Sequence, residues 1–303
     1  MPLRELDILA MVRTSLPGGG GLTDDCGELV PPAGGRLLAT TDLMEEGIHF
    51  RREWHPPRLL GRKLLTVNLS DLDASGAVPI GFTLTLALPA DIEDKWLGEI
   101  LGGLAEVARE QRVPVIGGDT VGRTAGVGLG VTAFGTAQRW LTRDRVEAGD
   151  HLYVDQPLGL SRRGLLRLQQ GQRWDASCPH PELSAHLDPR PNLGLGPRLA
   201  ALPEVHACID LSDGLGMDLQ RLAEASACSI LLEDDLTREE IEGGEDYARC
   251  FATPLPGPAL EARLGVALRR VGVAVESRGE PLWAVRDGIP EPLPGFGFDH
   301  FRP

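Results

Sequence analysis

Lysine is almost absent from this sequence of 303 residues, in which Lys63 and Lys95 are the only two. Neither lysine follows a glycine, so the chain lacks the GK[ST] loop that binds phosphate in many nucleotide enzymes. It also lacks the strand lysine of protein kinases, which occurs in a VAIK-like setting. If the protein uses ATP, it must therefore bind the nucleotide in another way.

Cysteine is scarce as well, with five residues spread along the chain and no CxxC pair. This number and spacing argue against a disulfide framework and against a zinc site, and they favour a reducing compartment. None of the seven histidines has the spacing of metal ligands. The sequence also lacks GxSxG and HExxH, so neither a serine hydrolase nor a zinc protease is indicated.

Long apolar runs and an excess of positive charge are missing too. No stretch approaches the roughly 18 apolar residues that span a bilayer, and the first residues, MPLRELDILAMVR, do not resemble a secretory leader. Acidic residues outnumber basic ones 44 to 30, which gives a net charge of −14. We therefore expect a cytoplasmic protein with no membrane partner and no nucleic-acid partner, because nucleic acids require clustered Lys and Arg.

Helical and strand patterns alternate along the chain, which predicts a mixed α/β fold, and the length fits two domains of about 100–200 residues each. The alternation of apolar and polar residues over 81–88 predicts a half-buried strand, and the spacing over 91–108 predicts an amphipathic helix. A second unit is expected to begin near residues 138–150. Further helices are predicted near 5–14, 57–72, 214–227 and 258–270, further strands near 36–41, 113–116, 127–136 and 206–211, and an irregular segment over 173–192.

Aspartates follow several of the predicted strands. Asp42, Asp119 and Asp210 each come at or near the end of an apolar strand, which is where α/β folds build their sites. Asp24–Asp25, Asp71 in NLSD and Asp213 in DLSDG add further acids. Two unit charges about 4 Å apart repel by roughly 4 kcal/mol at an effective dielectric of 20, so a converging set requires cations. Ligands that offer only oxygen favour Mg²⁺.

Each of these residues also has a purely structural interpretation. Asp213 precedes GLGMDLQRL and could cap a helix, and aspartates are common in turns. Arg143 could be a solvated surface residue or a planar clamp on phosphate. His49 could pack in the interior or contact a substrate. The residues taken singly leave these alternatives open.

Six segments occurring in order along the chain carry a resemblance to a known family: TTDLMEEGIHF, KLLTVNLSDLDASGAVP, VIGGDT, CIDLSDGL, GGEDYARCF and GFDHF. Together they resemble the bacterial thiamine-monophosphate kinases, which belong to the aminoimidazole-ribotide-synthetase-like superfamily of ATP enzymes. The resemblance extends from about residue 22 to residue 301.

This resemblance implies an enzyme that phosphorylates thiamine monophosphate with ATP, a phosphotransferase whose acceptor is a phosphate group. It implies a two-domain fold of two mixed sheets with packed helices. Residues 1–137 would bind ATP and Mg²⁺ and form a homodimer, and residues 138–303 would complete the substrate site.

The resemblance also implies roles for individual residues. Four aspartates would anchor the metal ions that serve catalysis: Asp42, Asp71, Asp119 and Asp210. The full set of ligands for several Mg²⁺ ions would be Asp25, Thr40, Thr41, Asp42, Asp71, Asp119, Asp210 and Asp213. The nucleotide would contact Gly118, Asp119, Arg143 and Ser212. The thiamine phosphate would contact His49, Glu245 and Phe298.

The implied chemistry agrees with the composition of the chain. The acceptor is a phosphate oxygen that is already anionic near neutral pH, so it needs little or no general base. The difficulty is to bring two phosphate groups together, and cations held by fixed carboxylates would neutralise and align them. We therefore expect direct in-line transfer without a phosphoenzyme.

The sequence departs from the family pattern at Thr23, Cys26–Glu28, Val121–Arg123 and Asp144–Arg145, and its connection over 233–243 is short. These departures leave the carboxylates in place. Two alternatives stay open at this point. One is another ATP enzyme of the same superfamily, and the other is a non-catalytic relative that binds nucleotide or metal.

Overall fold

The computed structural model describes residues 4–22, 26–286 and 289–293. These residues form two compact units. The first comprises the chain up to residue 72 together with 77–138 and 171–180, and the second comprises 73–76, 139–170 and the chain from 181 onward. Both units combine a sheet with helices, which confirms the predicted mixed α/β class. None of the described helices is long and apolar enough to cross a membrane.

As far as the structure describes the chain, the first unit contains a mixed four-stranded sheet. Its strands lie in the order β1-β4-β2-β3, where β4 is antiparallel to both of its neighbours and β2 is parallel to β3. The last two residues of α2 are grouped with the second unit. In chain order the elements are α1 (Glu5–Ser15), β1 (Arg36–Glu45), α2 (Pro57–Ala74), β2 (Val78–Pro89), α3 (Asp94–Glu110), β3 (Val115–Arg123) and β4 (Gly128–Ala137).

Residues that alternate along β2 divide this sheet into two faces, as predicted. Phe82, Leu84, Leu86 and Leu88 are at most 3% exposed, whereas Thr85 between them is exposed. The side chains of α2 reach the face on which these apolar residues lie. The buried face therefore carries the core, and the opposite face carries the threonines.

Two glycines allow α2 and α3 to approach each other closely. A Cβ atom on Gly61 would lie 1.9 Å from the carbonyl oxygen of Ile100, and one on Gly103 would lie 1.8 Å from that of Arg58. Any larger residue would have to push the helices apart. This packing fixes α2, which carries the residues of the NLSD motif.

The second unit contains a larger sheet. Within the described residues it has seven strands in the order β11-β10-β7-β9-β5-β8-β6. In chain order the elements are β5 (His151–Val154), α4 (Leu160–Gln169), α5 (Pro181–Leu187), α6 (Leu195–Ala200), β6 (Ala207–Asp210), α7 (Leu215–Ala225), β7 (Cys228–Leu232), α8 (Arg238–Glu242), β8 (Arg249–Thr253), α9 (Gly257–Leu264), β9 (Arg269–Glu276), β10 (Leu282–Arg286) and β11 (Ile289–Pro292).

Several predicted boundaries were wrong. β1 and β3 continue past Asp42 and Asp119 because the neighbouring strands β4 and β2 supply hydrogen-bond partners that local sequence does not reveal. Only Asp210 ends its strand. The segment predicted to be irregular contains α5. The helix predicted over 258–270 ends at Leu264, because Gly265 adopts the left-handed conformation that terminates helices.

A buried ionic network lies beneath the second sheet. The side chain of Arg249 is fully buried, and its Nε donates to Asp73 Oδ2 at 2.7 Å. Asp73 also accepts hydrogen bonds from the backbone N–H groups of Gly194 and Gly196. The backbone N–H of Arg249 donates to Asp155 Oδ1 at 2.7 Å. Asp73 and Asp155 therefore raise the pKa of the Arg249 guanidinium against the opposing effect of burial.

We expect Asp73→Ala to lower the free energy of unfolding by about 3–5 kcal/mol, since it leaves a buried arginine and two backbone N–H groups without their carboxylate. Urea denaturation measures this change. Asp235→Ala is the matched control, because Asp235 pairs with Arg269 at the surface and is 68% exposed. Asp235→Ala should lower the free energy of unfolding by less than about 1 kcal/mol. Equal effects of the two substitutions would contradict the role given to Asp73.

Candidate active site

Three of the predicted site residues meet where β1 lies against α2. Thr40 Oγ1 donates to Asp71 Oδ2 at 2.6 Å, and the backbone N–H of Asp42 donates to Asn68 Oδ1 at 3.1 Å. Asn68 is fully buried, and its amide group donates to the carbonyl oxygen of Leu64 at 3.0 Å. Asn68 and Asp71 are three residues apart and therefore lie on one side of α2. The NLSD motif thus fixes two residues of β1.

Thr41 lies on the opposite face of the sheet from Thr40. Its Oγ1 donates to the carbonyl oxygen of Val131 at 3.1 Å and accepts from Thr132 Oγ1 at 3.0 Å. In this arrangement Thr41 belongs to the threonine-lined face, whereas Thr40 and Asp42 face α2.

Asp119 lies at the other edge of the sheet. It is exposed, and its Oδ1 accepts from the backbone N–H of Thr120 at 2.9 Å. Gly118 must be a glycine, since its Cβ would lie 2.1 Å from the carbonyl oxygen of Leu84. Three strand spacings of about 4.8 Å separate β1 from β3, so roughly 14 Å lies between the backbones of Asp42 and Asp119. Within one chain this distance is too long for both side chains to ligate one Mg²⁺ ion.

His49 follows β1 in a tight turn. Its backbone N–H donates to the carbonyl oxygen of Glu45 at 2.9 Å, and its Nδ1 accepts from the backbone N–H of Glu45 at 3.0 Å. Because Nδ1 accepts, the proton of the neutral ring lies on Nε2. The turn therefore orients Nε2 as a hydrogen-bond donor.

The predicted residues of the second unit come together around the end of β6. Asp210 is 3% exposed and is followed directly by the loop that carries Ser212 and Asp213. The backbone N–H of Glu245 donates to the carbonyl oxygen of Ser212 at 2.7 Å. Gly244 permits this contact, since its Cβ would lie 2.8 Å from the same oxygen. The GGEDY motif is thus bound to the DLSDG motif.

Two residues of this loop have strained backbones. Glu245 and Tyr247 have φ values of +62° and +50°, in the left-handed region that residues other than glycine rarely adopt. Such strain persists only where the surrounding structure imposes it, and it concentrates at functional sites.

Asp218 was missed by the sequence analysis. Its side chain is 1% exposed, and it accepts a hydrogen bond from the backbone N–H of Asp213 at 3.0 Å. Burial raises the pKa of Asp218 to about 7, with further contributions from the charges of Asp210 and Asp213. Arg221 pairs with both Asp218 and Asp213. The sequence does contain a signal for this residue, because Asp218 is the third aspartate of the segment DLSDGLGMD.

The structural interpretation of Asp213 as a helix cap is wrong. α7 begins after Gly214, and no side chain makes a capping hydrogen bond there. Its carboxylate is instead bound to Arg221. The geometry thus places Asp213 among the acids at the end of β6.

Arg143 lies in an exposed loop whose backbone is fixed. Ser226 Oγ donates to the carbonyl oxygen of Arg143 at 2.8 Å and accepts from the backbone N–H of Val146 at 3.1 Å. The Arg143 side chain is exposed. Asp25 and Phe298, which the resemblance assigned to the metal and to the substrate, lie outside the described residues.

No three His, Cys, Asp or Glu side chains come close enough to hold a metal ion by themselves, as far as the structure describes the chain. The acids lie instead in pairs and small groups within each unit. Mg²⁺ commonly uses one or two carboxylates and takes its other ligands from water and phosphate oxygens. The arrangement suits ions that bind together with a phosphorylated ligand.

Comparisons with known proteins agree with these motifs. Residues 23–137 match the family described as AIR synthase related protein, N-terminal domain. The thiamine-monophosphate kinase of Escherichia coli K12 is 36% identical over 93% of this chain and 91% of its own length. That of Synechococcus elongatus is 35% identical over 84% of this chain and 83% of its own.

Solved structures that resemble this chain also include thiamine-monophosphate kinases. The thiamine-monophosphate kinase of Stenotrophomonas maltophilia K279a superposes with a TM-score of 0.79 at 31% identity, covering 95% of this chain and 98% of that one. AaThiL complexed with AMPPCP and TMP superposes with a TM-score of 0.78 at 26% identity, covering 98% and 97%. The resemblance inferred from the motifs is confirmed: the chain belongs to the thiamine-monophosphate kinase family.

Proposed function

We propose that this protein transfers the γ-phosphoryl group of ATP to thiamine monophosphate and releases thiamine diphosphate and ADP. The observation that carries this proposal is the likeness to thiamine-monophosphate kinases over nine-tenths of the chain. The complex of AaThiL with AMPPCP and TMP supports a site for two phosphorylated ligands in a related structure. The absence of lysine-based phosphate loops is consistent with a site built on carboxylates.

We also propose that several Mg²⁺ ions serve this reaction. The donor set fits the ion, because it offers carboxylate and hydroxyl oxygens, and because burial, together with the nearby charges of Asp210 and Asp213, raises the pKa of Asp218. The residues that would hold the ions are Asp25, Thr40, Thr41, Asp42, Asp71, Asp119, Asp210 and Asp213. Bound Mg²⁺ would neutralise the phosphates and polarise the reacting phosphoryl group.

The side chains of the protein would then orient the two substrates. His49 would donate from Nε2 to the phosphate of the thiamine substrate, since Nδ1 is already engaged by Glu45. Arg143 would clamp the nucleotide phosphates, and Ser212 and the backbone of Gly118 would add hydrogen bonds. Glu245 would accept from the aminopyrimidine, and Phe298 would cover the substrate ring. No general base is required, because the acceptor oxygen is already ionised.

We further propose a homodimer formed through the first unit. Leu37, Leu43 and Val78 are each 53% exposed, and the strand register places all three on the face opposite the buried one. Val121 on β3 is 50% exposed and shares this face. An exposed apolar sheet face of this kind favours coverage by a partner, and a second copy presents the same surface.

The proposed reaction is tested by incubating the protein with ATP, Mg²⁺ and thiamine monophosphate. We expect thiamine diphosphate and ADP in equal amounts, and no consumption of ATP when aminoimidazole precursors replace thiamine monophosphate.

Asp42→Asn and Asp71→Asn should each lower kcat by roughly 100-fold or more while the fold survives, because each removes an anchor for charge in the transition state.

Asp235→Asn is the matched control, since Asp235 is exposed and distant in sequence from every proposed ligand. It should leave kcat unchanged. Binding of ATP without formation of thiamine diphosphate would favour the non-catalytic alternative. Near-normal turnover of Asp42→Asn at saturating Mg²⁺ would contradict the metal assignment.

The dimer is tested with Leu43→Asp, which places a charge within the proposed interface. We expect the wild-type protein to have the mass of a dimer in light scattering and the variant to have the mass of a monomer. Leu6→Asp is the control, because Leu6 is 72% exposed on α1. A wild-type monomer at micromolar concentration would refute the proposed interface.

The strain at Glu245 predicts a conflict between stability and function. Glycine adopts the left-handed conformation freely, whereas alanine is disfavoured there by about 1–2 kcal/mol. Glu245→Gly should therefore be more stable in urea than Glu245→Ala by about 1 kcal/mol, and both should raise the KM for thiamine monophosphate. If Glu245→Ala were the more stable variant, the strain would not reside at this residue.

A further inference from the structure

A buried histidine contacts the carboxylate of Glu245. His186 lies on α5, and its side chain is 7% exposed. Its Nδ1 is 3.1 Å from Glu245 Oε2 and 3.1 Å from Ser161 Oγ. The Glu245 side chain keeps 28% exposure, so a ligand can reach it whereas the histidine lies behind it.

The chemistry of this contact fixes the tautomer of the histidine. An ionised carboxylate only accepts hydrogen bonds, so the contact with Oε2 requires a proton on Nδ1 of His186. Ser161 Oγ lies at the same distance from Nδ1 and can share this donor. Ser161 and Glu245 thus both contact Nδ1 of the ring.

The packing of α4 against α5 places the histidine there. A Cβ atom on Gly164 would lie 2.1 Å from the carbonyl oxygen of Glu182 and 2.9 Å from the Cβ atom of His186. Only glycine at this position of α4 lets α5 come so close. Arg163 Nε donates to Glu182 Oε1 at 3.0 Å and strengthens the same contact.

Asp246, the residue after Glu245, fixes the loop around Glu245 to the beginning of α4. Asp246 Oδ2 accepts from the backbone N–H of Gly159 at 2.7 Å, and Asp246 Oδ1 accepts from that of Ser161 at 3.4 Å. The backbone N–H of Glu245 is bound to Ser212. The main chain at Glu245 is therefore held by its neighbours, and His186 contacts its carboxylate.

We propose that His186 is a positioning residue, which orients the Glu245 carboxylate for the thiamine substrate through a hydrogen bond from Nδ1. The proposal rests on the proposed function and deepens it. A glutamate that is held before binding loses less rotamer freedom when the substrate arrives, so the histidine strengthens binding without touching the ligand. It has no corresponding part in binding ATP.

The test compares two polar substitutions of the same residue. The amide nitrogen of Asn reaches the position of Nδ1, whereas that of Gln reaches the position of Nε2. We expect His186→Asn to keep the KM for thiamine monophosphate within about threefold of wild type. His186→Gln and His186→Leu should raise it about tenfold, and the KM for ATP should stay within twofold for all three.

His206→Leu is the matched control. His206 Nδ1 makes the same kind of contact with Asp150 Oδ2, at 2.9 Å, in the same unit. This variant should change neither KM. A double-mutant cycle adds a second readout, because His186→Gln should have no further effect on the KM for thiamine monophosphate once Glu245 has been replaced by alanine.

Different results would overturn different proposals. Formation of no thiamine diphosphate by the wild-type protein would refute the proposed function itself. If the wild type is active, three results would overturn the role of His186: equal KM values for the Asn and Gln variants, parallel changes in the KM for ATP, or a full effect of His186→Gln in the Glu245→Ala background.

Discussion

The burial of a carboxylate beside other carboxylates that the backbone holds in place is the constraint on which the candidate site depends. At the end of β6 the fold gathers Asp210, Asp213 and Asp218, and the pKa of Asp218 rises to about 7 because the group is buried beside two other acids. Arg221 offsets part of this charge by pairing with two of the three. Such an arrangement favours the binding of cations or positively charged ligand groups.

The scaffold holds the site with three devices that act over short distances. Glycines allow backbones to meet, as where Gly244 lets Glu245 reach Ser212. Buried polar side chains connect elements, as Asn68 connects α2 to β1. Left-handed residues at 245 and 247 aim individual groups at a cost in stability. Each device gives the groups that it holds a defined orientation, which is what transfer between two anionic phosphates requires.

Local patterns predicted much of this arrangement and failed where distant residues decide it. The alternation Phe82, Leu84, Leu86 and Leu88 predicted its strand because period-two burial is a local property. The lengths of β1 and β3 depend on neighbouring strands and were underestimated. The contact between Asp73 and Arg249 joins residues 176 positions apart, and no local pattern reveals it. The same holds for the contact between His186 and Glu245, because no motif in the sequence connects the two residues.

The family motifs identified the candidate residues, and the structure supplied their grouping. Thr40, Asp42 and Asp71 lie together in the first unit, and Asp210, Ser212, Asp213 and Glu245 lie together in the second. The roles of these residues as metal and substrate ligands remain proposals. The central claim is that metal ions held by these carboxylates bind the phosphates of the substrates.

Thermal unfolding in the presence of AMPPCP and Mg²⁺ tests this claim most directly. A ligand that binds only the folded state raises the melting temperature of the protein. The account predicts a rise of several degrees when both are present and a much smaller rise with AMPPCP alone. It also predicts that Asp71→Asn removes the additional stabilisation by Mg²⁺. An equal rise with AMPPCP in the presence of a chelator would contradict a site in which metal ions join the carboxylates to the phosphates.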